Sequence, residues 1–176
     1  MKQKMYELLK LYADQVNALD IVDKYNKYHR IYKKLFLELK QKKYNNIGFI
    51  QKNADDMDYF AIIDSLLENN KNIFCSSLEN KNLVFKKIES VYSSFEYYSG
   101  QRVYQNLATV NPNLIKVLII PVQIYKEKKV VLIDKTISKF VKNFKGLKIA
   151  IAFEFAKTIA DLNDLDYVMV DDVIVA

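Results

Sequence analysis

The sequence predicts an α+β protein with a long N-terminal helix, and three stretches carry that prediction. Residues 114–136 (LIKVLIIPVQIYKEKKVVLIDKT) hold two apolar, β-branched runs, 115–125 and 130–133, around the charged tetrapeptide Lys126-Glu127-Lys128-Lys129. A short polar break between runs suited to a pleated surface reads as a β-hairpin. The first run is too continuously apolar for a half-exposed strand, so both of its faces should be covered. Residues 3–43 contain no glycine or proline and read as helix. Residues 147–162 combine four alanines with Ile151, Phe155, Ile159 and Leu162 at helical spacing, which predicts a mostly buried helix.

The chain divides on this reading into an N-terminal helical segment, 1–43, and an α+β domain, 44–176, with a β-prone, acidic tail. In the first segment Tyr25, Tyr28, Tyr32, Leu35 and Leu39 follow a 3-4-3-4 spacing, with His29 and Phe36 beside them. An earlier stripe through Met5, Tyr12, Val16 and Leu19 does not share that register. A break at residues 17–20, with Asp20 as N-cap, reconciles the two. The later stripe suits packing on its own domain or a homodimer seam, and both can hold at once.

From Tyr44 the pattern changes. Residues 46–51 (NIGFIQ) predict a short strand, with Gly48 allowing close backbone approach. Residues 53–56 are turn chemistry, and 58–67 read as a strand through Ile63 rather than a helix. Residues 73–75 form a brief extended piece. Asn80 or Asn82 caps a predicted helix carrying Leu83, Val84, Ile88, Val91, Tyr92 and Phe95, ended at Gly100. Asn111-Pro112-Asn113 turns the chain into the 114–136 stretch, where Pro121 marks a bulge or a ladder edge. Thr136 caps a further segment up to Gly146, and residues 167–175 add a last strand or pair with another chain.

Composition bounds the function. One cysteine, Cys75, excludes an internal disulfide and a cysteine-cage metal site. No apolar run approaches the roughly 20 residues that span a bilayer, and residues 1–20 lack the apolar core of a signal peptide. A cytoplasmic protein is expected. The net charge of +6 comes from residues 1–43, with 11 Lys/Arg against 5 Asp/Glu. Only Arg30 and Arg102 are arginines, and base and phosphate recognition favours arginine's planar fork.

Chemistry-bearing residues are sparse. Cys75 has no histidine with a sequence reason to meet it, since His29 is the sole one. Asp55, Asp56 and Asp58 lack calcium-loop spacing, and Asp171-Asp172 would face opposite ways on a strand. Three glycines leave no phosphate-cradling loop. Tyr92, Tyr97, Tyr98 and Tyr104, with Gln101 and Asn106 beside them, suit either a ligand pocket or a polar-tipped core edge. No catalytic, metal or cofactor residue is assigned.

Residues 117–122 (VLIIPV), 130–134 (VVLID) and 148–159 (KIAIAFEFAKTI), preceded by 97–107 (YYSGQRVYQNL), give the chain an order of parts that resembles a GAF domain across residues 20–162. The resemblance implies a central antiparallel sheet flanked by helices, a ligand-sized pocket and dimerisation through terminal helices. Cys75 is followed by Ser76 rather than histidine, and His29 lies on the N-terminal helix, so bilin or haem binding is not carried over. The expectation is a non-enzymatic sensory or interaction domain that binds a small molecule or a protein partner as a homodimer. The alternative is a nucleic-acid-associated protein using Lys33, Lys34, Lys40, Lys42 and Lys43, and an enzyme on the same sheet is a third reading.

Overall fold

The computed structural model describes residues 7, 10–11, 14–15, 17–51, 60–90, 95–98, 101–104, 107–122, 124–126, 129–132, 134–151, 157–158, 168–170 and 174–175. Helical geometry is interrupted at residues 18–20. Asp20 then caps helix α1 (Ile21–Lys42), its carboxylate accepting from the Asp23 amide at 2.8 Å. Lys43, in the left-handed region at φ 55°, closes that helix. Tyr28, Ile31, Leu35 and Leu39 form its buried face and belong to the same hydrophobic core as the sheet.

After α1 the elements are β1 (Asn46–Phe49), α2 (Phe60–Glu68), β2 (Asn72–Glu79), β3 (Asn82–Ile88), β4 (Phe95–Tyr98), β5 (Gln101–Tyr104) and β6 (Thr109–Val110). A 3₁₀ turn (Pro112–Leu114) leads into β7 (Val117–Pro121), β8 (Ile124–Lys126), β9 (Lys129–Leu132) and α3 (Lys135–Asn143). The chain closes with β10 (Leu147–Ile151), β11 (Lys157–Thr158), β12 (Val168–Val170) and β13 (Ile174–Val175).

Helices and strands combine as the α+β prediction has it, but the sheet is not antiparallel. Seven strands lie in the order β13-β10-β7-β1-β2-β3-β6. The first five are mutually parallel, and β3 and β6 add on antiparallel. The physical reason is visible in β7, where all five residues are buried. A strand covered on both faces is what a parallel sheet with helices on either side requires. Crossovers between parallel strands are right-handed. The one from β1 through α2 to β2 and the one from β7 through α3 to β10 run in opposite directions along the sheet, so α2 and α3 cover opposite faces.

Four local expectations are corrected. The predicted strand over 58–63 is instead occupied, from Phe60, by α2, because a parallel β1–β2 pair needs a crossover; Ile62, Ile63 and Leu66 are its buried face. The predicted helix after Asn80 is the β2–β3 hairpin. Asn80 and Lys81 turn it with φ of 49° and 63°, the left-handed pair that a tight two-residue hairpin favours. The predicted helix over 147–162 opens as β10, whose Ile149, Ala150 and Ile151 are buried beside β7. The two apolar runs of 114–136 do not pair with each other as a whole. β7 enters the large sheet, and the hairpin is β8–β9, with Tyr125 opposite Val130.

β8 and β9 belong to a four-stranded sheet ordered β11-β8-β9-β12, and the tail supplies both β12 and β13 within the chain. Gly48 has no room for a side chain: a Cβ there would lie 2.8 Å from Ile115 Cγ2. The close approach read from the sequence is therefore real, and it seats the start of β7 on β1.

Candidate functional site

In an open sheet of parallel strands, ligands bind outside the carboxyl ends where neighbouring strands connect in opposite directions. Here that point lies between β1, which leads to β2 on one side, and β7, which leads to β10 on the other. Its walls are Ile50 and Gln51 after β1, Pro121 and Val122 at the end of β7, and the half of β2 beyond Cys75, where β1 has already ended.

That edge holds buried polar groups. The Gln51 amide donates to Ser76 Oγ at 2.8 Å, and Gln51 Nε2 donates to the Ser76 carbonyl at 2.7 Å. The two bonds lock the first residues of the β1 loop to β2. Side chains alternate along a strand, so Cys75, Ser77 and Glu79 share a face of β2. The pairing of Cys75 with Lys86 puts Lys86 on that face too. Lys86, only 7% exposed, forms an ion pair with Glu79, and its stem passes the Ser77 position to get there. Ser77 is fully buried, and its hydroxyl has no hydrogen-bond partner among the described residues. A buried hydroxyl without a partner costs about 1–3 kcal/mol. Such a group calls for an explanation, and a ligand atom is one.

The residues proposed from sequence fare unevenly. Tyr92 and Asn106 lie outside the described residues. Tyr97 and Tyr98 fall on β4 and Gln101 and Tyr104 on β5, in a hairpin that lies against β2. Its register pairs Tyr98 with Gln101 and Phe95 with Tyr104. The structure thus gathers four of the six on one hairpin. Cys75 is buried within β2.

The α1 stripe is divided. Tyr28, Leu35 and Leu39 are buried in the chain's own core, which is the own-domain packing that their spacing suits. Tyr25 is 64% exposed and stacks on His29, with ring centroids 6.2 Å apart. The Tyr32 hydroxyl accepts from Asn69 Nδ2 at 2.9 Å, tying α1 to the end of α2. Burial, with Glu68 nearby, pushes its phenol above the ordinary value. Sequence reasoning missed Gln51, Ser76, Ser77 and Lys86. The signal available was polar residues at 76, 77, 86 and 87 interrupting two largely apolar strand stretches.

No described helix is long and apolar enough to cross a membrane. No family model and no curated protein matches the sequence. Among solved structures the chain is similar to the 5,10-methenyltetrahydrofolate synthetase of Aquifex aeolicus, at a TM-score of 0.76 and 16% identity over 97% of this chain and 88% of that one. It is also similar to the synthetase of the same name from Mycoplasma pneumoniae, at a TM-score of 0.69 and 19% identity over 96% of both chains. At these identities the likeness establishes the fold.

It also overturns the expected GAF-like, non-enzymatic sensory domain. Both neighbours are enzymes, and their fold is matched from end to end by a chain whose sheet is parallel at its centre. The GAF resemblance rested on the order of apolar runs, which a buried parallel strand followed by a hairpin reproduces. The nucleic-acid alternative gains no support from these neighbours either.

Proposed function

We propose that the chain is an enzyme of tetrahydrofolate chemistry that forms or uses a 5,10-methenyl bridge at the carboxyl edge between β1 and β7. One observation carries this reading: nearly the whole chain superposes on two structures that bear the same enzyme name. The unpartnered Ser77 hydroxyl beside Lys86, where such sheets receive ligands, supports the placement.

A methenyl bridge between two nitrogens forms when a neighbouring amine nitrogen attacks the carbon of an N-formyl group and the formyl oxygen departs, as water or, once phosphorylated by a nucleoside triphosphate, as phosphate. Forming it requires that an amide oxygen be made a leaving group, so cationic and hydrogen-bonding groups aimed at that oxygen lower the barrier. In this chain the Ser77 hydroxyl is the open group at that edge, and Lys86, ion-paired with Glu79, is the cation on the same face. Of the described glycines, Gly48 sits inside β1 and Gly146 at the opposite edge, so neither supplies an anion-binding loop here. A single cysteine, which cannot close an internal disulfide, fits a reducing, cytoplasmic setting.

The test is direct. Purified protein is incubated with 5-formyl- and 10-formyltetrahydrofolate, with and without a nucleoside triphosphate, and 5,10-methenyltetrahydrofolate is quantified by mass spectrometry. Product above the uncatalysed rate, reduced in Ser77→Ala, supports the assignment. No product from either isomer under any of these conditions removes it.

A further inference from the structure

Across the sheet from that site, at the amino-terminal ends of β7 and β10, lies a groove of about 530 Å³ lined by the 3₁₀ turn, the residues entering β7 and the last turn of α3. Its size falls within the ordinary range of small-molecule pockets. Buried Ile115 forms the floor, and the half-buried rings of Phe140 and Phe144, 6.1 Å apart and tilted by 30°, form one wall. Lys116, Lys145, Asn113 and Asn143 form the polar rim.

The walls are fixed before any ligand arrives. The Asn111 side chain accepts from the Asn113 amide at 3.0 Å, and Asn46 Nδ2 donates to the Leu114 carbonyl at 3.0 Å, which holds the turn. The Leu147 amide donates to the Lys116 carbonyl at 3.1 Å. At Gly146 a Cβ would collide with that same carbonyl and with the Phe144 ring, so a glycine lets the two walls approach.

The charge is one-sided. Across residues 107–122 and 134–151 the one carboxylate is Asp134, at the far end of α3, whereas Lys116, Lys135, Lys139, Lys142, Lys145 and Lys148 are all cationic. Lys116 spends one of its three donors on the Asn113 carbonyl at 3.3 Å, and Lys145 has no partner among the described residues. The carbonyl end of α3 opposes an anion with roughly half an elementary charge. Two full ammonium groups outweigh it.

We propose that this groove binds a small planar organic anion of the aromatic carboxylate class, its ring against Phe140 and Phe144 and its carboxylate between Lys116 and Lys145. The site is separate from the proposed catalytic edge by the length of β7, roughly 17 Å, and stands whether or not the folate reading does.

Benzoate, its neutral counterpart benzamide and inorganic phosphate are titrated separately into ¹⁵N-labelled full-length protein at constant ionic strength. The expected result is saturable benzoate shifts centred on the amides of residues 113–116 and 143–147. Benzamide should bind at least about ten-fold more weakly, as the loss of a charge-assisted contact predicts. In the double variant Lys116→Gln/Lys145→Gln, benzoate affinity should fall about ten-fold or more with Tm unchanged. Equal binding of benzamide, phosphate binding as tightly as benzoate, or shifts centred on residues 50–51 and 76–77 would overturn the proposal, as would no saturable shift.

Discussion

At the amino ends of β1 and β2, the polar side chains that hold the turns together are satisfied. Lys71 Nζ donates to the Tyr44 carbonyl at 3.0 Å and to Asn45 Oδ1 at 3.1 Å, Asn72 Nδ2 donates to Asn46 Oδ1 at 2.9 Å, and Asn46 Nδ2 reaches Leu114. At the carboxyl edge, by contrast, Gln51, Ser76, Ser77 and Lys86 are buried deeply and the Ser77 hydroxyl remains without a partner among the described residues. Both edges are rich in short polar residues, so composition does not separate them. What separates them is whether each donor and acceptor is answered from within the chain. A satisfied network stabilises, whereas a buried group left open spends stability in a way that binding a ligand can recover.

Substitutions that divide stability from turnover test that contrast. The largest effect is expected at the amino edge. Gly146→Ala forces a methyl group against the Lys116 carbonyl, which is backbone and yields poorly, and should lower stability by about 1–3 kcal/mol. Thermal unfolding would show the loss, with turnover per folded molecule unchanged. If turnover falls instead, the amino edge is not mere scaffolding.

Ser77→Ala should do the reverse. It removes an unanswered hydroxyl, so Tm should hold or rise, while kcat/KM for methenyltetrahydrofolate formation should drop about ten-fold, the worth of one hydrogen bond to a ligand. An unchanged kcat/KM would move the site away from β2. Asp134→Ala sharpens the boundary, because Asp134 lies at the carboxyl edge yet only caps α3, accepting from the Ile137 amide at 2.9 Å. It should cost about 1 kcal/mol in denaturant titration and leave kcat alone.

The smallest effect concerns pH. The Tyr32 phenol holds its proton more tightly folded than unfolded, because burial and the nearby Glu68 raise its value above 10.0. Its contribution is therefore complete below pH 10 and is lost as pH climbs through the raised folded value. Tyr32→Phe should flatten that alkaline decline in Tm, and an unaltered slope would show that the phenol does not contribute.

Much of the framework was legible in the residues. Asp20 before an apolar stripe announced the start of α1, NIGF announced β1, and the unbroken VLIIP announced a strand covered on both faces. The misreadings share a cause. Asn80 serves equally as a helix cap and as the left-handed corner of a hairpin, and only the partner strand decides between them. Alanine in 147–151 suits a helix in isolation and a tight parallel sheet in context, where Ala150 lies opposite Ile120. The candidate site was less legible still. Ser77 and Lys86 come to share a face through a hairpin register, Gln51 reaches Ser76 on the neighbouring strand, and no spacing within the sequence encodes either arrangement.

The position of β1 has a consequence during synthesis. It lies at the middle of the large sheet, yet its partner β7 begins 70 residues after Ile47, at Val117. At translation rates of 5–20 residues per second, β1 waits roughly 4–14 s with one edge open. β10 and β13 join later still. A growing chain therefore holds Ile47 and Phe49 next to an unfilled strand position while more than a third of the protein is still being made. Chaperone demand, and the yield of soluble protein at high expression, should respond to translation speed between these two strands more than anywhere else in the chain.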